Sequence, residues 1–132
     1  MRPKPNGFTL IELLIVVVII GLLAAIAIPK FAATQQKAHV AAMKADLRNL
    51  ITAEEAYLAD YLTYYGGPVP SGLFTYETTK GVNVTISNVS LSGWSAIATH
   101  TGVPGRTCAI FYGSSGVAIA PATTEGVVAC TN

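Results

Sequence analysis

The sequence predicts an α+β fold: one long N-terminal α-helix, membrane-spanning in its first half and amphipathic in its second, packed on a roughly four-stranded antiparallel sheet with a C-terminal disulfide loop. Three observations carry this. Leu10 to Ile28 is an apolar run broken by one charge, Glu12. Lys30 to Tyr65 holds neither glycine nor proline and is rich in alanine, leucine, lysine and glutamate, a helical composition. After Gly66-Gly67-Pro68, stretches of alternating apolar and polar residues are punctuated by Gly, Ser and Pro, the pattern of short strands joined by turns.

A chain of 132 residues without an internal repeat accommodates one domain and one appended element. Charged residues make up 11% of it, under half of the ~25% usual in soluble domains, so part of the chain is not built to face water. The formal net charge is +1, and Arg2 and Lys4 supply two of the eight basic groups. Without the first seven residues, six basic groups face seven acidic ones, a net of −1. That balance supports no nucleic-acid partner. The two cysteines, Cys108 and Cys130, form an even count near the C-terminus, which in an exported chain reads as a disulfide. In a cytosolic chain they would be two buried thiols.

Residues Phe8 to Ile28, as a helix, would span about 31 Å, close to the ~30 Å hydrocarbon core of a bilayer. The preceding Met1-Arg2-Pro3-Lys4-Pro5-Asn6-Gly7 is basic and holds two prolines, and the positive-inside rule keeps it cytoplasmic with the rest of the chain on the outer side. A conventional secretory signal has similar features, and Ala25-Ile26-Ala27 offers signal peptidase an A-x-A site. Cleavage there would release a secreted binding module beginning at Ile28. Glu12 argues against it: a carboxylate in an apolar helix costs roughly 2.5–3.5 kcal/mol at mid-membrane, and a discarded signal has no use for one. An intramembrane carboxylate implies a cationic partner.

Gly7-Phe8-Thr9-Leu10-Ile11-Glu12, the apolar run from Leu13 to Ile28 and the following Pro29 closely resemble the N-terminal signature of type IV pilins. The resemblance implies cleavage by a prepilin peptidase between Gly7 and Phe8, N-methylation of Phe8 by the same peptidase/methyltransferase, and retention of the helix. It also implies that Glu12 neutralises the Phe8 amine of a neighbouring subunit as copies assemble into a helical filament. The implied partners are further copies of the chain, the inner membrane and the pilus assembly machinery. The implied course runs from the bacterial inner membrane to an extracellular pilus serving adhesion, motility or DNA uptake. Pseudopilins of type II secretion share the motif and form the nearest alternative; a minor or DNA-binding competence pilin is a further one.

Four regions follow: residues 1–7 as a cleaved leader, 8–29 as a transmembrane and filament-core helix, 30–65 as its amphipathic continuation, and 66–132 as a globular β head. Gly21 and Pro29 weaken the helix, and in the family the stretch between the matching residues can lose helicity. The helix should otherwise reach about Leu62. Val40, Met43, Leu47, Leu50, Ile51, Leu58, Tyr61 and Leu62 form one apolar face to cover the sheet, while Lys37, Lys44, Asp46, Arg48, Glu54, Glu55 and Asp60 are read as solvated or subunit-facing. Tyr57, Tyr61, Tyr64 and Tyr65 read as packing groups.

Expected strands lie at Val82–Ile86, Trp94–Thr99, Thr107–Tyr112 and Gly116–Ala120, with a bulge or bend where the apolar phase switches at Val89 and Leu91. Cys130 should return to Cys108 at the start of the third strand, with 121–126 as the outermost loop; the arrangement resembles the disulfide-bounded tail of type IV pilins. Two N-x-S/T triplets, at Asn83 and Asn88, are of a kind common in Asn/Ser/Thr-rich segments. No catalytic motif is evident: there is no phosphate-binding Gly-rich loop, H-E-x-x-H or C-x-x-C, so the chain reads as non-enzymatic and free of cofactors. No metal site is expected either, since His39 has no second ligand at helical spacing and His100 is on a distant segment.

Overall fold

The computed structural model describes residues 7–131, so the expected leader lies outside the described residues except for Gly7. The chain divides into two compact units, Met1–Gln35 and Gln36–Asn132. Helix α1 covers Leu10–Tyr61 without interruption, through both Gly21 and Pro29.

In the first unit the helix is apolar on every side from Leu13 to Ile28. Its large aliphatic side chains from Leu10 to Ile28 are each roughly half or more exposed, and a stretch of α1 is apolar and long enough to cross a membrane. A helix apolar on every face has no stable place in water.

In the second unit α1 lays Met43, Leu47 and Leu50 against a four-stranded sheet, and all three are fully buried. The strands are β1 (Val82–Ser90), β2 (Gly93–His100), β3 (Thr107–Tyr112) and β4 (Ala129–Cys130), antiparallel in the order β1-β2-β3-β4. In β1, Val82, Val84 and Ile86 are buried while Asn83 and Thr85 are exposed, as the two-residue period requires. Cross-strand rows Val84–Ala98–Cys108 and Ile86–Ala96–Ile110 carry the core. The predicted irregularity is present: the β1–β2 register shifts between Ser87 and Ser90, where Asn88 adopts φ 51°.

The fourth strand differs from expectation. Gly116–Ala120 is not a strand, and β4 is the two-residue Ala129–Cys130. The free edge of β3 accepts one neighbour, and the Cys108–Cys130 disulfide, at a sequence separation of 22, sets the tail there. The 113–120 segment passes close to the β1–β2 turn instead: Ser115 N donates to Ser92 O, and Ser95 Oγ donates to Val117 O. A Cβ on Gly113 or Gly93 would collide with the facing backbone, so this close crossing depends on glycine.

The helix ends one residue short of the expected Leu62. Leu62 takes a left-handed conformation (φ 57°) and its N–H bonds Leu58 O, a C-terminal cap geometry. Tyr61 and Leu62, predicted to lie on the core face, are consequently exposed. The chain then turns back through Tyr64 and Tyr65, both buried.

Candidate functional site

Because α1 begins at Leu10, Thr9 is its N-cap residue and Glu12 stands at the third helical position. The two bond reciprocally. Glu12 N donates to Thr9 Oγ1 at 3.3 Å, and Thr9 N donates to Glu12 Oε2 at 2.8 Å. The Thr9 hydroxyl donates to the same Oε2 at 2.7 Å. This is a capping box, with the acidic group placed where the helix dipole favours it. Reading Glu12 only as a carboxylate awaiting a cation overlooked this local partner; the T-x-x-E spacing ahead of an apolar run is the signal that reveals it. Among the described residues, both hydrogen bonds that the carboxylate accepts land on Oε2, which leaves Oε1 for a donor from elsewhere.

Phe8 is 88% exposed, and a Cβ on Gly7 or on Gly21 would meet nothing within 4 Å. Packing among the described residues therefore imposes a glycine at neither position. At Pro29 the helix loses one backbone donor yet is continuous.

Two carboxylates read as solvated are in fact buried. Asp46 accepts from Thr79 N and Thr79 Oγ1, each at 2.8 Å, while its backbone carbonyl accepts from the Tyr76 hydroxyl at 2.7 Å. It ties the segment before β1 to the helix. Glu54 is fully buried; its Oε2 accepts from Tyr65 N at 2.8 Å, and its Oε1 has no partner among the described residues. Burial pushes the Glu54 carboxyl up to about 7 against the lowering effect of the Tyr65 N–H. Burial likewise raises the Tyr64 phenol to about 12, reinforced by its hydrogen bond to Glu55.

His39 and His100, treated as remote from one another, stack with ring centroids 4.0 Å apart. His100 Nδ1 accepts from Gly102 N at 2.8 Å. Sequence distance concealed the pair because the last residue of β2 returns to the helix. The tyrosines of the helix end pack as predicted: Tyr57 stacks on Tyr61, and Tyr65 on Phe74.

A profile of the prokaryotic N-terminal methylation motif matches residues 2–28. The type IV major pilin protein PilA of Myxococcus xanthus is 48% identical over 59 residues, which is 45% of this chain and 27% of that protein. The type IV wide pilus major component PilA4 of Thermus thermophilus is 35% identical over 98 residues, covering 74% of this chain and 75% of that protein. The chain belongs to the type IV pilin family. Much of the likeness to other relatives lies in part of the pilin: the type II secretion system core protein G of Pseudomonas aeruginosa is 38% identical over 63 residues, 48% of this chain and 44% of that protein. The pilin thus spans well under two thirds of the Myxococcus and Pseudomonas proteins that it matches.

Proposed function

We propose that this pilin is the structural subunit of a type IV pilus, polymerised through its N-terminal helix into an extracellular filament. The observation that carries this reading is an exposed helix, apolar on all faces from Leu13 to Ile28, headed by a carboxylate with one oxygen uncommitted among the described residues. In this reading residues 1–7 are a leader, 8–29 span the inner membrane and later line the filament core, 30–65 continue the helix, and 66–132 form the head. Prepilin peptidase cuts between Gly7 and Phe8 and methylates Phe8. The glycine is supported as a recognition residue because nothing among the described residues demands it.

Glu12 then sets the register. Moving the helix from lipid to a filament core exchanges one apolar environment for another at small net change, so association needs a polar determinant. Oε2 stays with Thr9, and Oε1 receives the Phe8 amine of the next copy; a copy at the wrong height leaves both charges unpaired in an apolar core, which costs several kcal/mol. Gly21 and Pro29 are where the helix can loosen during this exchange, since each lowers local helical stability. The chain is a substrate of processing chemistry and performs none.

A pilus rather than a secretion pseudopilus is favoured because the likeness to a pilus major component extends over three quarters of both chains. Mass spectrometry of the mature N-terminus and electron microscopy of sheared surface filaments test the proposal. Methylated Phe8 in filament-borne peptide is the expected result. A mature chain starting at Ile28 would overturn it.

A further inference from the structure

Beyond the cap at Leu62 the chain returns along α1 as far as Tyr76 without joining the sheet; Ser71 and Phe74 form an isolated bridge with each other. Two neighbouring carboxylates hold its near end. Tyr65 N donates to Glu54 Oε2 at 2.8 Å, and the Tyr64 hydroxyl donates to Glu55 Oε1 at 2.9 Å. At the far end the Tyr76 hydroxyl donates to Asp46 O at 2.7 Å. Between these anchors the hydrogen bonds among the described residues are internal to the segment, the Tyr65 hydroxyl donating to Pro68 O and Phe74 N to Ser71 O. A stretch held at its ends and outside any strand ladder is the kind of unit that opens locally while the rest stays folded.

Glu54 differs from the other two anchors. Glu55 is exposed, and Asp46 has both carboxylate oxygens on Thr79, whereas Glu54 is fully buried and its Oε1 has no partner among the described residues. The titratable groups that face Glu54 are Glu55 beside it on α1 and Tyr64 of the returning segment, with Tyr112 of β3 acting on Tyr64. None of these is a cation. A neutral carboxyl suits the site: it keeps the bond from Tyr65 N and carries no charge into the core. An ionised one keeps that bond but leaves a charged oxygen unsolvated, next to the charge of Glu55. Lifting the segment, whose Tyr65 amide sits on the carboxylate, is the local route to water.

We propose that Glu54 is a proton-operated clasp for residues 62–76: protonated, it holds the segment closed against α1, and ionised, it lets the segment open. The two ends of the moving part are defined, by the left-handed Leu62 (φ 57°) and by Tyr76 on Asp46. Opening separates what now packs. Tyr65 stacks on Phe74 and meets Tyr57 edge-on, and residues 66–69 line a groove with residues 83–86 of β1, the outermost strand on that side of the sheet. Acidity therefore sets which surface this side of the head presents. The device needs no second copy and is independent of the filament reading.

Burial holds the closed carboxyl up at about 7, with the Tyr65 N–H opposing and Glu55 adding to the effect, against an ordinary value of 4.5 for the open state. The open fraction should accordingly grow by up to about tenfold per pH unit between those two values and level off above the higher one. The test is amide hydrogen exchange of the full chain in detergent micelles across that interval, corrected for the intrinsic rate at each pH. The Tyr65 amide should lose at least about tenfold in protection as pH rises through the interval, and should exchange faster throughout than Ile110, which pairs with Ala96 in the sheet. Glu54→Gln, neutral at every pH, should give a flat Tyr65 profile. Should that variant fail to fold, the carboxyl carbon shift of Glu54 in the wild-type chain decides: it should titrate with the same midpoint as the Tyr65 protection. Protection of Tyr65 that is independent of pH, that equals that of Ile110, or that keeps its pH dependence in Glu54→Gln would overturn the clasp, as would a Glu54 carboxyl that titrates like an exposed one.

Discussion

Thr9 and Glu12 close a reciprocal ring at the head of the helix, each accepting the backbone N–H of the other. The cap fixes where the carboxylate stands before any second copy arrives. Removing the threonine side chain should cost about 1 kcal/mol at the first helical turn, so Thr9→Ala should exchange the amides of that turn roughly fivefold faster in detergent micelles. Thr9→Ser, which keeps the hydroxyl, should restore wild-type exchange.

Glu12→Ala should leave membrane insertion intact and abolish filaments, as read by fractionation and by shearing. Normal filament yield in that variant would refute the charge-register role.

A Cβ at Gly7 meets none of the described residues within 4 Å, so a bulky replacement there leaves the packing of the subunit undisturbed. Gly7→Val should therefore leave the head unchanged, as judged by the melting temperature, while blocking maturation. Intact-mass spectrometry should show the retained leader.

The raised Glu54 carboxyl makes stability depend on pH with a definite sign. Its folded value of about 7 lies above that of the unfolded chain, near 4.5, so ionisation opposes folding. The penalty is absent below the unfolded value, grows as pH rises from about 4.5 to 7, and is constant above. A shift of this size corresponds to about 3 kcal/mol. Glu54→Gln should raise the melting temperature of the mature chain at pH 8 and change it little at pH 4; equal effects at both would show that burial does not raise the carboxyl.

Asp46 holds Thr79 by two bonds from a nearly inaccessible position. Asp46→Ala should destabilise the head by about 2 kcal/mol, the usual scale for hydrogen bonds to a charged group. Reducing the Cys108–Cys130 bond should cost about 3 kcal/mol through the loop it closes. Both are measurable by denaturant unfolding.

The linear order of residues determined the elements whose causes are local. An apolar run too long and too uniform for water defines α1, the absence of Gly and Pro carries it on to the tyrosines, and two-residue alternation defines β1. The processing motif was legible for the same reason, since its residues are contiguous, and so was the cap, whose four-residue signal stood unread. Tertiary structure decided what depends on which surfaces meet. Whether the 116–120 segment adds to the sheet or crosses near the β1–β2 turn turns on a single free edge, already occupied by the disulfide-held tail. Whether Asp46 and Glu54 face water or the interior, and whether His39 meets His100, depends on where the returning chain lands on the helix. Periodicity reports a residue's own face; burial and pairing belong to two segments at once, and only folding brings both to the same place.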